Sequence, residues 1–450
     1  MMSSHAPHIL LVNPWIHDFA AYDFWAKPLG LLTLGGILRE HGAKVSYLDC
    51  LDRFHPLAAA PSLPAARCGR GPYLKTPIEK PPGLADIPRT YCRYGILPEW
   101  FLQDLKALPP PDLVLITSMM TYWYPGVRET IERIKSVFPD VPVVLGGIYA
   151  TLCREHAEAH SGADEVTGGP AAGRILDLVA GYTGASLAPR YDLNDLDAQP
   201  YPALDLISPN SFAPLLTSLG CPFKCDYCAS HFLAGRWAVQ SPRRIFREIR
   251  HWHTTCGIRD FAFYDDALLV GAHQRIKPLL QQVAAAGLDI RFHTPNAVHI
   301  REVTADLARL LYRAGFHTLR LGLETADAAG IKTLDRKASF QEFTRAAAYL
   351  REAGFRKEQV GAYLLVGLPD QSLAAIKQGI EAVHRHRVTP IPAYYTPIPH
   401  TALWSRAVSV SRYDLAADPI FTNNAVFPCW EEGFAWETVG RIRNWVRNRG

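Results

Sequence analysis

The sequence predicts an α/β protein built in two successive parts: an N-terminal Rossmann-like, doubly wound parallel sheet, then a partial (β/α)6 barrel of the TIM type. Three observations carry this. Short apolar strand runs alternate with helical periodicity through residues 8–167, which implies a parallel sheet covered on both faces. A second alternating series of six strand–helix units starts at Ala213 and spans roughly 190 residues, too few for an eight-unit barrel. Between them, residues 185–212 lose periodicity and carry Asp and Pro, as in Asp197-Ala198-Gln199-Pro200, the composition of a linker. A length of 450 residues also exceeds one typical domain.

The first strand is the run His8-Ile9-Leu10-Leu11-Val12, which ends at Asn13-Pro14. A helix over 31–41 and a strand over 44–48 follow. Residues 53–110 then break the rhythm with Gly69-Arg70-Gly71-Pro72 and Pro81-Pro82-Gly83; so long a loop-rich insertion in a compact domain is usually functional or poorly ordered. The pattern resumes with a strand over 112–117, a helix over 127–138 and a strand over 141–145 that ends in Gly146-Gly147. A helix over 152–160 and a strand over 165–167 complete a first domain of residues 1–184. The barrel, 213–405, has strands expected at 215–218, 260–264, 290–293, 318–323, 359–366 and 391–397. The tail, 406–450, is aromatic and ends in a basic helix over 437–447.

Composition excludes several classes. With 48% hydrophobic and 20% charged residues the chain is ordinary globular protein rather than a disordered or fibrous one. A net charge of +4 is too small for a nucleic-acid-coating protein. The longest apolar runs, such as 113–116 and 362–366, are strand-sized, far short of the ~20 residues that span a bilayer. The start, Met1-Met2-Ser3-Ser4-His5, lacks a basic segment followed by an apolar one, so a cytoplasmic location is expected. Nine cysteines, six of them isolated, do not form a disulfide framework, and a reducing compartment fits them.

The remaining three, Cys221, Cys225 and Cys228, form a C-x3-C-x2-C triplet directly after the first strand of the second series. Such a triplet is expected by chance roughly 0.004 times in a chain of this length and cysteine content. Three thiolates on one short loop suit three irons of a four-iron cluster, leaving the fourth iron open for chemistry. The alternative is structural zinc, with His231 as a nearby fourth ligand.

The segment Cys221-Pro222-Phe223-Lys224-Cys225-Asp226-Tyr227-Cys228 resembles the C-x3-C-x-aromatic-C signature of the radical S-adenosylmethionine (SAM) superfamily, with Tyr227 as the aromatic. The resemblance implies a [4Fe-4S] cluster on the three cysteines. It also implies SAM bound through its amino and carboxylate groups to the open iron, and a 5′-deoxyadenosyl radical released on electron transfer. It further implies SAM contacts at other barrel strand ends: Asp265 after the second strand, His293 and Asn296 after the third, Glu324 after the fourth and Gly367 after the fifth. The family's Gly-Gly-Glu-like element is absent from Phe263-Tyr264-Asp265-Asp266. Asp265 is equally suited to cap a helix, and His293 to a hydrogen-bonded core position.

A parallel sheet ahead of such a barrel resembles the cobalamin-binding subclass, whose ligand lies outside the carboxyl ends of the strands. Ser118-Met119-Met120 is similar to a Ser-x-Leu element that meets the nucleotide tail, and Gly146-Gly147 to a glycine pair that admits it; Gly168 adds to that surface. Thr121-Tyr122-Trp123-Tyr124 is placed to wall the corrin or to pack in the core. The loop after the first strand, Asn13 to Ala20, lacks the Asp-x-His-x-x-Gly motif, so His17 is not assigned to cobalt.

The resemblance implies an enzyme with three cofactors: the [4Fe-4S] cluster, SAM and cobalamin. The expected reaction is methyl transfer to an unactivated carbon of a small-molecule or peptide substrate. An electron donor such as flavodoxin or ferredoxin is implied, and neither membrane nor nucleic acid is expected as a partner. Cyclisation or rearrangement without methyl transfer is the alternative. A cobalamin sensor with a vestigial barrel and an RNA methylthiotransferase fit less well, because the triplet is intact, Cys50, Cys92 and Cys153 in the first part are isolated, and the tail is short.

Overall fold

The computed structural model describes residues 6–58, 68–326, 339–430 and 436–447. The chain divides into two compact units. One runs through Ser211 and takes in Asp418–Ile420; the other holds Phe212–Ala417 and residues 421 onward.

In the first unit, strands β1 (His8–Asn13), β2 (Ile16–Asp18), β3 (Lys44–Asp49), β4 (Lys75–Pro77), β5 (Cys92–Tyr94), β6 (Leu113–Ile116), β7 (Val143–Leu145) and β8 (Glu165–Val166) make two sheets. The main sheet has the order β3-β1-β6-β7-β8, and all its pairings are parallel. Ile9, Leu10, Leu11 and Val12 are all buried, which requires cover on both faces. The order reverses between β1 and β6, which is the switch point of this sheet, and ligands of such sheets generally bind outside the carboxyl ends of the strands.

The second sheet, β2-β5-β4, is antiparallel and departs from the expectation for residues 53–110. That insertion is not simply loop: it contributes β4, β5 and the helix Pro98–Ala107. The loop after β1 is itself a strand, paired through Ile16–Tyr94 and His17–Arg93. Trp15 reinforces the junction by donating its indole N–H to the Ile96 carbonyl at 2.8 Å.

In the second unit, β9 (Ala213–Leu215), β10 (Ser218–Leu219), β11 (Ala238–Val239), β12 (Asp260–Phe263), β13 (Arg291–His293), β14 (Phe316–Glu324), β15 (Val360–Val366) and β16 (Thr389–Tyr394) appear. Six form an open parallel sheet in the order β16-β15-β14-β13-β12-β9, as expected of a partial barrel. The expected strand over 215–218 is two pieces, because the chain leaves the barrel after Leu215 and β10 pairs with β11 as a separate hairpin. The barrel core is aromatic: Phe263 lies 5.2 Å from Phe292 and 5.7 Å from Phe316, ring centre to ring centre. Each such ring contributes about 1.5–3 kcal/mol by burial. Ser241 caps the helix Pro242–Cys256 by accepting from the Arg244 N–H, and Gly257 closes it in the left-handed conformation. The basic tail helix spans Glu437–Arg447. Among the described residues no helix is long and apolar enough to cross a membrane.

Candidate functional site

The cysteine loop is held from below by a buried carboxylate. Asp265 accepts hydrogen bonds from the Thr217 backbone N–H (3.1 and 3.0 Å), the Thr217 hydroxyl (2.6 Å) and the Ser218 hydroxyl (2.7 Å). Arg275 donates to the Thr217 hydroxyl at 3.1 Å and stands 3.9 Å from Asp265. Burial raises the Asp265 pKa, and these hydrogen bonds and Arg275 oppose the rise. At 2% exposure with its oxygens engaged, Asp265 does not present its carboxylate to SAM. It ties the end of β12 to the segment that enters the cysteine loop, which corrects the expected SAM contact.

The loop then turns on Gly220, whose φ is +77°. A Cβ there would sit 2.7 Å from the Arg236 carbonyl oxygen, so glycine is required on both counts. Gly220→Ala is therefore expected to cost about 2–4 kcal/mol and to leave most chains unable to take up iron on anaerobic reconstitution. Unchanged thermal stability and iron content would contradict this. Cys225 is buried, and the Cys228 N–H donates to its carbonyl at 3.0 Å. The Ser230 N–H donates to the Cys228 sulfur at 3.5 Å, and the Ser230 hydroxyl lies 3.2 Å from it; hydrogen bonds to sulfur tune a metal-bound thiolate. Tyr227 packs on the apolar group of Leu368, Tyr395, Ala407, Leu415 and Cys429. Leu403 N–H donates to the Asp226 carbonyl at 2.9 Å. His231 is exposed on the short helix Ser230–Ala234. None of the nine cysteines is in a disulfide. Three thiols on a rigidly braced loop are a fitting donor set for an iron–sulfur cluster.

The other expected SAM contacts divide. His293 is fully buried, with Nε2 2.9 Å from Asp260 Oδ1. Arg291 also bonds Asp260, at 2.7 and 2.5 Å. Burial opposes ionisation of Asp260, but these two partners hold its pKa at about 2. His293 is thus a core ion-pair member and not a ribose contact. Gly367 has φ +87°, but its N–H is taken by Gln371 Oε1 at 2.8 Å, so its backbone donor is not open to adenine. Phe427 and Trp430 occupy the space beside its α-carbon. Asn296 remains exposed, anchored by donating to the Tyr264 carbonyl at 2.8 Å. Glu324 ends β14 at φ +62°, and Asp370 and His400, after β15 and β16, also have positive φ. These residues lie at the carboxyl end of the barrel strands, where the active sites of such barrels are built. Thr217, Arg275 and Gln371 escaped sequence reasoning, because no motif marks them.

In the first unit, the Ser118 hydroxyl donates to the Gly146 carbonyl at 2.7 Å, and the Ile148 N–H donates to the Ser118 carbonyl at 2.8 Å. Gly147 has φ +96°, and a Cβ there would lie 2.3 Å from the Ser118 oxygen. Thr151, also missed in the sequence, donates to the Gly147 carbonyl at 2.7 Å and accepts from the Gly169 N–H at 2.9 Å. Around this braced frame lies open space. Nothing comes within 3.8 Å of a Cβ at Gly146, or within 4 Å at Gly169. Gly168 is closed off by Thr151 on one side, and its carbonyl accepts from Arg174. Met120 is 39% exposed at the same edge. A glycine-floored groove across the ends of β6, β7 and β8 fits a ligand that must approach the backbone closely.

Of the aromatic run, Tyr122 and Tyr124 are buried, and Trp123 donates its indole N–H to Asp18 at 2.7 Å. The core reading therefore holds for both tyrosines. His17 Nε2 lies 3.0 Å from Glu129 Oε2, and Arg93 pairs with the same carboxylate at 2.9 and 2.8 Å. Burial opposes ionisation of Glu129, but His17 and Arg93 hold its pKa at about 2.

A cysteine triplet at the first strand end of an open parallel barrel is the arrangement of enzymes that cleave SAM at an iron–sulfur cluster. Residues 215–383 match the radical SAM superfamily, and residues 90–178 match the B12 binding domain. The chain belongs to the cobalamin-binding radical SAM enzymes.

An uncharacterized methyltransferase of Pyrococcus horikoshii is 24% identical over 66% of this chain and 70% of its own length. The anaerobic magnesium-protoporphyrin IX monomethyl ester cyclase of Cereibacter sphaeroides is 24% identical over 68% of this chain, which spans only 54% of that relative. Among solved structures, the radical SAM methyltransferase TsrM of Kitasatospora setae, with tryptophan substrate and a SAM analogue bound, aligns over 91% of this chain and 78% of its own. Its TM-score is 0.64 and its identity 16%, a likeness of fold.

Proposed function

We propose that the protein is a cobalamin-dependent radical SAM C-methyltransferase acting on an unactivated carbon of a small molecule or peptide. The observation that carries this is one chain holding both a braced three-cysteine loop and an open glycine-floored groove at a parallel sheet edge. The methyltransferase relative supports it. When bound, the cluster and cobalamin supply hydrogen abstraction by a SAM-derived radical and delivery of a methyl group drawn from a second SAM.

The chain's own part is placement. Cys221, Cys225 and Cys228 hold the cluster, with Ser230 tuning the Cys228 sulfur and Asp265 fixing the loop. Asn296 and Glu324 offer polar groups to SAM at the barrel mouth. Met120, Gly146 and Gly147 line the cobalamin groove, Ser118 braces it from beneath, and Gly168 stands at its edge beside Thr151. A reducing, cytoplasmic setting and a flavodoxin- or ferredoxin-type donor complete the reading, supported by nine cysteines without a disulfide.

Cyclisation without methyl transfer is the second reading, because the cyclase relative aligns over a similar share of the chain. Product stoichiometry separates the two. With substrate, a methyltransferase is expected to release 5′-deoxyadenosine and S-adenosylhomocysteine in nearly equal amounts, with a methylated product. Substrate-dependent 5′-deoxyadenosine without S-adenosylhomocysteine would establish the second reading instead.

A further inference from the structure

The wall behind the cysteine loop has a surface that the proposed chemistry does not use. Residues 230–239 abut the loop directly: a Cβ at Gly220 would touch the Arg236 carbonyl oxygen at 2.7 Å and the Ala234 Cβ at 3.0 Å, and β11 pairs with β10. Three large apolar side chains stand exposed on this short segment: Phe232 at 42%, Trp237 at 40% and Val239 at 46%. Two of them are held in place. Phe232 stacks on His400 at 4.2 Å, and the Arg275 guanidinium lies 5.5 Å from the centre of the Trp237 ring.

Along this stretch of chain the exposed charge has one sign. No Asp or Glu occurs between Asp226 and Glu248, and Glu248 is buried against Arg244 at 3.1 Å. Arg236 is exposed beside Trp237, and Arg243, Arg247 and Arg250 are exposed on the helix Pro242–Cys256. Their i, i+4, i+7 spacing sets the last three on one stripe. Among the described residues none of those three is ion-paired.

We propose that this face docks an acidic, low-potential one-electron carrier protein, an inference that rests on the reading that Cys221, Cys225 and Cys228 carry a redox cluster. Fixed aromatic anchors on a segment that leads straight into an arginine-striped helix have the composition of a protein-binding surface. An unpaired basic stripe steers an acidic partner and speeds its association. Position matters as much as charge, since electron transfer slows steeply with distance and this segment is the exposed wall of the cysteine loop. On each encounter one electron leaves the carrier, which is oxidised, and enters the cluster, which is reduced. A second basic cleft, of about 210 Å³, lined by Arg351, Arg356, Lys357 and Arg387, lies at the starts of β15 and β16. That is the opposite end of the strands, and it serves as the control.

The test uses the full-length, anaerobically reconstituted holoprotein and rapid-mixing kinetics with two reductants: reduced flavodoxin, an acidic protein, and reduced methyl viologen, a small cation. Combined Arg236→Glu, Arg243→Glu and Arg247→Glu is expected to slow flavodoxin reduction at least about tenfold at low salt and to flatten its salt dependence. Viologen reduction and iron content should stay unchanged. Trp237→Ser, which removes a half-exposed ring and its contact with Arg275, should slow flavodoxin and spare viologen and iron content. Combined Arg351→Glu, Arg356→Glu and Lys357→Glu should change neither rate. A parent flavodoxin rate insensitive to salt, an unchanged rate in both site variants, or equal slowing in the control overturns the proposal. Absence of iron from the parent protein would instead overturn the cluster reading beneath it, a separate and visible failure.

Discussion

Replacing Cys221, Cys225 and Cys228 together by Ala is expected to abolish iron binding, from about four irons per chain to background. The argument is local. The loop that carries the three thiols is shaped by groups other than sulfur: Asp265 fixes its entry, Gly220 its turn, and Leu403 pins Asp226. Tyr227 is packed on a separate apolar group. Removing three sulfurs therefore leaves the loop's framework intact, and the circular dichroism and melting temperature of the variant should match the parent. Iron analysis and the absorbance of the reconstituted protein read the outcome. Full iron content in the triple variant would reject the assignment of all three ligands.

The second large effect concerns the two adjacent glycines, which resemble each other in sequence and differ in structure. Gly147 combines φ +96° with a Cβ position 2.3 Å from the Ser118 oxygen and 2.6 Å from its nitrogen. Even Gly147→Ala is expected to destabilise the sheet edge by about 2–4 kcal/mol, so corrin loss in that variant reports folding as much as binding. At Gly146 a side chain meets nothing within 3.8 Å and leaves over the groove. Gly146→Trp should keep the melting temperature and iron content of the parent while cutting retained cobalamin at least about tenfold. The same corrin absorbance in this variant as in the parent would move the cofactor away from the ends of β6 and β7.

That contrast shows how far the sequence could be read. Both parallel sheets and their strand ends were legible, because buried strands such as 8–13 and 360–366 are continuous apolar runs bounded by turn residues. The cysteine triplet was legible because its ligands are local. The antiparallel sheet of β2, β4 and β5 was not, since strands of three residues exist only through their partners, and β2 finds its partner β5 more than seventy residues away. Side-chain direction at strand ends was equally hidden. Asp265, His293 and Gly367 lie where ligand contacts were expected. Yet a carboxylate turned towards Thr217, an imidazole turned towards Asp260 and an amide taken by Gln371 are set by tertiary partners. A one-residue uncertainty at a strand end reverses the face a side chain occupies. Asn296, at the same level of the barrel, stays exposed.

The most direct measurement is electron paramagnetic resonance on one sample of the reconstituted protein loaded with cobalamin, reduced anaerobically and divided before SAM is added to one half. The account expects cluster and cob(II)alamin signals in equal amounts per chain, and SAM should reshape the cluster signal by binding its open iron while leaving the cobalt signal unmoved. A cluster signal indifferent to SAM, or a chain that retains iron but no corrin, would contradict it.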